Sequence, residues 1–207
     1  MSLELFIPFL VATAIVLATP GPTVILVVSY ALAKGRDVAL TVVAGVILGD
    51  LLAMSATLLG LGVILTTSAF LFTAMKWAGA VYLAWMGWRM IRSASSAKAD
   101  LADVVGKSHS AAFRDSVLVT LLNPKSIGFF VAFVPQFIDP ASPVAPQFGV
   151  MIVTFVGLGG LNVLAYALLA ARFRHKITSA NRMAWLQRGS GAVLIGLAAF
   201  TAALRRA

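Results

Sequence analysis

Cysteine is absent from the 207-residue chain, which excludes disulfides, thiolate metal sites and dithiol electron transfer. Charge is scarce: 11% of the residues are Asp, Glu, Lys or Arg, where a soluble domain carries about 25%. Acidic residues are the scarcest, with 7 against 16 Lys and Arg, for a net charge of +9. The two histidines, His109 and His175, sit in loops far apart and make no metal-ligand cluster. There is no glycine-rich phosphate loop and no nucleophile beside a base, so the chain is not read as an enzyme, calls for no cofactor and has no means of using ATP directly. No basic stripe with interleaved base-stacking aromatics occurs, which excludes nucleic acid as a partner. What is abundant is apolar surface: 60% of residues are hydrophobic and the mean hydropathy is +0.98. Disorder requires low hydrophobicity, and a water-soluble globule requires more charge. The fold class is therefore all-α, polytopic, with the lipid bilayer as its solvent. Six spans of about 22 residues use about 132 positions, which leaves loops and ends only, so residues 1–207 read as a single transmembrane domain.

Charges punctuate the chain. The 29 residues between Glu4 and Lys34 carry none, and a first helix is expected near 5–30. Its start, Ser2-Leu3-Glu4, lacks the basic residues of a secretory signal, so the helix is read as retained. From Val38 to Met75 the only charge is Asp50. That stretch is too long for one crossing of about 30 Å at 1.5 Å per residue. Thr66-Thr67-Ser68 marks a turn between helices near 39–64 and 69–90. A polar linker occupies about 93–113. Helix four is expected near 116–138, helix five within the charge-free run 140–171 after the Asp139-Pro140-Ala141-Ser142-Pro143 turn, and helix six near 186–204.

Counting Lys and Arg by loop sets the orientation. The 1–2, 3–4 and 5–6 loops together hold twelve, and the opposite face holds only Arg205 and Arg206. Those three loops are therefore cytoplasmic and both termini periplasmic. The bias is a flanking-loop signal, which also accounts for the net positive charge. The two halves, about 1–92 and 114–207, look related. An offset of 112 pairs Gly45 with Gly157, Leu52-Ala53 with Leu164-Ala165, and Gly79-Ala80-Val81 with Gly191-Ala192-Val193. The same offset pairs Asp50 with Asn162 and Lys76 with Arg188. Three helices per half make the repeat inverted, an arrangement that places a substrate site where transporter halves meet near the midplane.

Few residues in the spans can carry chemistry. Pro20-Gly21-Pro22 interrupts helix one. Proline removes a backbone donor and clashes with the preceding turn, so the helix should open or kink sharply. Unpaired backbone groups at that depth persist only where protein or a wet cavity covers them. A packing kink is the alternative reading. Asn123-Pro124-Lys125 interrupts helix four, the counterpart of helix one, and paired interruptions point to a transporter site. Lys125 lies about 15 Å deep. A lysine there costs about 2.5–3.5 kcal/mol to insert, and its stem of about 6 Å is too short to snorkel out. It should face the interior, as a site residue or as a structural ion pair. Asp50 is the only acidic residue well inside a span. It should also face the interior, with Lys125 as its natural partner. A carboxylate caught between dehydration and a nearby ammonium is a candidate proton carrier. Asn162 supplies a neutral hydrogen-bonding group. Lys76 is near a span end and is explained by snorkelling. Gly45, Gly49, Gly60, Gly62, Gly157, Gly159 and Gly160 read as close-packing positions. Trp77, Trp85, Trp88 and Trp185 read as interfacial belt or core.

These residues resemble the lysine exporter/homoserine–threonine resistance (LysE/RhtB) family over essentially the whole chain. Thr19-Pro20-Gly21-Pro22 is similar to its first-helix Pro-Gly-Pro signature, and Gly45 with Gly49-Asp50 to its second-helix Gly-x-x-x-Gly-Asp pattern. Gly79, Tyr82-Leu83 and Gly87 are similar to its third-helix signature. Asn123-Pro124-Lys125 and Phe133-x-Pro135-Gln136-Phe137 are similar to its fourth-helix block. Thr23 stands where members often carry Asn or another polar residue. The resemblance implies secondary efflux of amino acids or close derivatives across the bacterial inner membrane, by antiport against protons, from an inverted three-plus-three repeat. The expected site residues are Asp50, Lys125, Asn123, Pro124, Pro20, Gly21, Pro22 and Asn162, around a small zwitterionic substrate. A homodimer is among the assemblies such a bundle permits. An inorganic-cation exporter would want several intramembrane carboxylates or soft ligands, and a non-transporting assembly factor would need neither helix breaks nor mid-depth charges.

Overall fold

The structure, a computed structural model, describes residues 1–67, 69–93 and 106–172 and scattered positions from 188 to 202. Among them every regular element is helical. In order they are α1 (Leu3–Ala18), α2 (Pro22–Lys34), α3 (Arg36–Thr67), α4 (Ala69–Ser93), α5 (His109–Leu121), α6 (Pro124–Ala132), a 3-10 turn at Val134–Phe137, and α7 (Val144–Arg172). The expected first helix is two helices bent by 48° about Thr19-Pro20-Gly21. The expected fourth begins earlier, at His109, where Ser108 caps it by accepting from the Ala111 N–H at 3.2 Å. It is broken at Leu122-Asn123 before Pro124 opens α6. In both places proline occupies the first position of the second helix, where its missing N–H costs nothing.

Three helical stretches are long and apolar enough to cross a membrane: Arg36–Gly60, His109–Phe137 and Val144–Arg172. The bent α1–α2 pair makes a fourth. The α4 helix falls where a span is expected. It carries Lys76, Arg89 and Arg92 and is not among those four. The expected sixth helix and the polar linker fall largely outside the described residues, as do His175 and Trp185, while Gly62 lies within α3.

Apolar side chains lie on both faces of these helices, as they should in lipid. On α1, Leu3, Ile7, Val11 and Ile15 point outward, while Phe9, Ala12 and Val16 are buried. At one end of the bundle Phe9, Phe129, Phe130, Phe133, Phe137 and Phe155 pack together. The Phe130 and Phe155 rings stand edge to face at 4.7 Å, and Phe129 stacks on Phe133 at 5.4 Å. At the other end valines and alanines of α2, α3 and α7 form a second core.

Close helix approach has a sequence cause. A Cβ on Gly45 would meet Ser116 Oγ at 2.3 Å and the Phe113 carbonyl at 2.6 Å; one on Gly49 would meet Thr120 Cβ at 2.8 Å. The Gly-x-x-x-Gly pair is thus the seam between α3 and α5. Gly159 and Gly160 likewise meet Asp50 and Ile47. A Cβ on Gly60 or Gly157 would meet nothing within 4 Å among the described residues, so there these two are not close-packing positions. Between α2 and α3, Gly35 has φ +83°, a conformation that admits glycine cheaply. The hinge into Arg36 therefore needs no loop.

Polar contacts gather at the ends of the bundle. Lys34 donates to the Lys107 carbonyl, and Lys107 pairs with Asp115, which also accepts from the Tyr30 hydroxyl at 3.3 Å. At the opposite end the Met1 ammonium lies close enough to Asp139 to act on it electrostatically. Trp77, Trp85 and Trp88 are about half exposed, and the Arg92 guanidinium lies 4.9 Å from the Trp88 ring centre. They sit on the surface of α4.

Candidate functional site

A break in a buried helix leaves carbonyls without partners, and each buried unsatisfied group costs about 1–3 kcal/mol. The end of α1 accounts for all of its own. The Ile15 carbonyl accepts from Thr19 Oγ1 at 2.7 Å. The Val16 carbonyl accepts from the Thr19 N–H at 3.2 Å and from Lys125 Nζ at 3.0 Å. The Leu17 carbonyl accepts from Asn162 Nδ2 at 2.8 Å, and the Ala18 carbonyl from the Tyr166 hydroxyl at 3.1 Å. The Thr19 carbonyl accepts from Lys125 Nζ at 2.6 Å. Three elements converge to do this, because α6 brings Lys125 and α7 brings Asn162 and Tyr166 one helical turn apart. The negative end of the α1 dipole further favours an ammonium there.

Lys125 is buried, 4% exposed, and its stem lies against Gly21. A Cβ on Gly21 would stand 3.3 Å from Lys125 Cδ and Cε, so the glycine leaves room for the lysine. Gly21 also caps α2, and no side chain accepts from the first turn of that helix. The first turn of α2 is thus left without a side-chain cap among the described residues, an arrangement suited to an anion. Pro20 is buried, Pro22 opens α2 and Pro124 opens α6.

Asn123 has two tasks. Its Oδ1 accepts from the Lys125 N–H at 3.0 Å, capping α6, and its Nδ2 donates to Thr23 Oγ1 at 2.9 Å. Thr23 is in turn 3.4 Å from Thr120 Oγ1. The two broken helices are thus tied to each other through Asn123 and Thr23.

Asp50, on α3, is 5% exposed. Lys125 acts on it electrostatically, yet no ion pair joins them among the described residues. The expected direct partnership is replaced by a looser one, because Lys125 Nζ is spent on two carbonyls that only the broken helix offers. Asp50 accepts no hydrogen bond among the described residues, and its Oδ2 lies 3.1 Å from where a Gly159 Cβ would stand. Thr13, one turn before Val16, also has a buried hydroxyl without a hydrogen-bond partner among the described residues.

All eight expected residues, Pro20, Gly21, Pro22, Asp50, Asn123, Pro124, Lys125 and Asn162, thus lie at the two breaks or beside them. Sequence reasoning missed Tyr166, Thr13, Thr120 and the role of Thr23. Tyr166 follows Asn162 by four residues and so shares its helix face, which was the available signal.

Interrupted helices holding a lysine and a carboxylate inside an apolar bundle define a class: a multi-pass membrane protein with a polar interior site. The chain belongs to the LysE type translocator family, whose profile matches residues 14–204. It is 30% identical over 208 residues, all of both chains, to a homoserine/homoserine lactone efflux protein of Salmonella typhimurium. It is 32% identical over 196 residues, 95% of each chain, to an uncharacterized membrane protein of Vibrio cholerae. It is 31% identical over 134 residues to a leucine efflux protein of Klebsiella pneumoniae, a match covering 65% of this chain and 63% of the other. No solved structure matches the chain.

Proposed function

We propose that the chain is a six-helix secondary exporter of amino acids or close derivatives across the bacterial inner membrane, exchanging them for protons. The proposal includes an inverted three-plus-three repeat, with α4 as the third span, and periplasmic termini. One observation carries it: a buried ammonium on freed backbone carbonyls, within the field of a buried carboxylate that accepts no hydrogen bond among the described residues. A zwitterion needs one anionic and one cationic partner where water is scarce. Lys125 and the uncapped first turn of α2 suit its carboxylate. Asp50 suits its ammonium, or carries the coupling proton when the substrate is absent. Alternation between those two tasks couples export to proton entry. The names of the Salmonella and Klebsiella relatives support the substrate class.

The test is flux in everted vesicles. Acidifying the vesicle lumen should drive uptake of a labelled amino acid, a protonophore should abolish it, and a competition panel should rank the amino acids. Metal-ion flux with no amino-acid flux would make the chain an inorganic-cation exporter. Absence of both, with the protein correctly inserted, would leave an assembly factor.

A further inference from the structure

Of the carbonyls at the end of α1, those of Ile15, Leu17 and Ala18 are held by Thr19, Asn162 and Tyr166. The helix end is therefore kept in shape by α1 and α7. The Val16 and Thr19 carbonyls are different, because their side-chain donor is a single primary ammonium, Lys125 Nζ, at 3.0 and 2.6 Å. A primary ammonium is also the group that every α-amino acid presents. Asp50 stands within the electrostatic reach of Lys125 and accepts no hydrogen bond among the described residues. The lysine stem passes Gly21, where a Cβ would stand 3.3 Å from Lys125 Cδ and Cε.

We propose that the Val16 and Thr19 carbonyls form a subsite for primary ammonium groups, that Lys125 fills it in the resting protein, and that the substrate's ammonium takes its place. Lys125 is an internal stand-in for the substrate. On exchange its own ammonium swings off the cradle to the substrate's carboxylate, and the buried site is never left with an uncovered carbonyl pair. The exchange costs little, because one N–H donor replaces another on the same two acceptors. This deepens the exporter reading and rests on it for the identity of the incoming ammonium; the cradle itself stands independently.

The experiment empties the cradle. In the purified full-length protein, Lys125→Ala should lower the Tm. Ethylammonium chloride should raise the variant's Tm saturably, at concentrations that leave the wild type unchanged. Tetramethylammonium chloride, which carries the charge but no N–H donor, should not. Homoserine should raise it as ethylammonium does, and 2,4-dihydroxybutyrate, with a hydroxyl in place of the amine, should not. Lys125→Met, which also carries no N–H donor, serves in the same assay if the alanine variant does not fold. Equal responses to both ammonium salts, or to neither, would overturn the cradle. A response to ethylammonium but not to homoserine would reduce it to a socket for lysine and overturn the exchange. Rescue of the variant by ethylammonium, where wild-type vesicles transport no amino acid, would instead sink the exporter reading and leave the cradle in place.

Discussion

At the residue scale the site turns on whether two buried charges only neutralise each other. Removing one partner of such a pair leaves an uncompensated charge, which costs about 3–5 kcal/mol in known cases. Asp50→Asn and Lys125→Met should each lower the yield of folded protein and abolish export. The double variant should regain folded protein, measured by size-exclusion profile and Tm, yet not pump against a gradient. If it pumps near the wild-type rate, both residues are structural. The α7 side chains give a second test. Tyr166→Phe removes one hydrogen bond to the Ala18 carbonyl, a net loss of about 0.5–1.5 kcal/mol. It should slow export several-fold while Tm moves little, because the loss falls on the joint rather than on a core. Asn162→Ala should do more, since it uncovers the part-buried Leu17 carbonyl, where the Ala18 carbonyl is exposed.

At the element scale the break in the first helix is where composition becomes geometry. Pro20→Ala with Pro22→Ala restores two backbone donors and should let α1 and α2 run together. The carbonyls that hold Lys125 would then turn back into the helix ladder. The variant should insert normally and lose nearly all flux; near-normal flux at equal protein level would make the break a packing kink. The α3–α5 seam makes the opposite kind of prediction. Gly49→Ala puts a methyl group 2.8 Å from Thr120 Cβ and 2.9 Å from the Val117 carbonyl, and such overpacking costs about 1–3 kcal/mol. Gly157→Ala meets nothing within 4 Å and should leave the Tm unchanged. Equal melting of the two variants would mean that the seam does not hold the helices together.

At the scale of the whole molecule, the ends of the bundle can be told apart. Ser110 lies near the Lys34–Lys107–Asp115 cluster and Ala141 near Asp139, at opposite ends. In a chain without cysteine, Ser110→Cys should be shielded from an impermeant thiol reagent in intact cells, and Ala141→Cys should label. The reverse pattern would invert the proposed orientation. At the Asp139 end the carboxyl is held below its usual range by the Ser142 hydroxyl and then by the Ala141 N–H. That small support is present above the ordinary carboxylate range and is lost as pH falls through the lowered value.

Much of this was legible in the order of residues, for identifiable reasons. Scarcity of charge decided that lipid is the solvent, and the spacing of the remaining charges decided where helices could lie. Proline decided the two breaks, because its missing donor and fixed ring act locally and need no partner. The cost of burying a charge decided that Asp50 and Lys125 face inward, whatever surrounds them. Only the tertiary structure decided what those residues touch. Lys125 was paired with Asp50 by depth alone, yet it bonds to carbonyls 106 and 109 residues earlier in the chain. Those carbonyls are acceptors only because another helix ends beside it. Tyr166 carried no mark in the sequence beyond its spacing from Asn162, and Gly60 and Gly157 read like Gly45 and Gly49 although only the latter two meet a neighbour. A local pattern records what a residue cannot tolerate; which partner satisfies it depends on helices that the chain brings together from far apart.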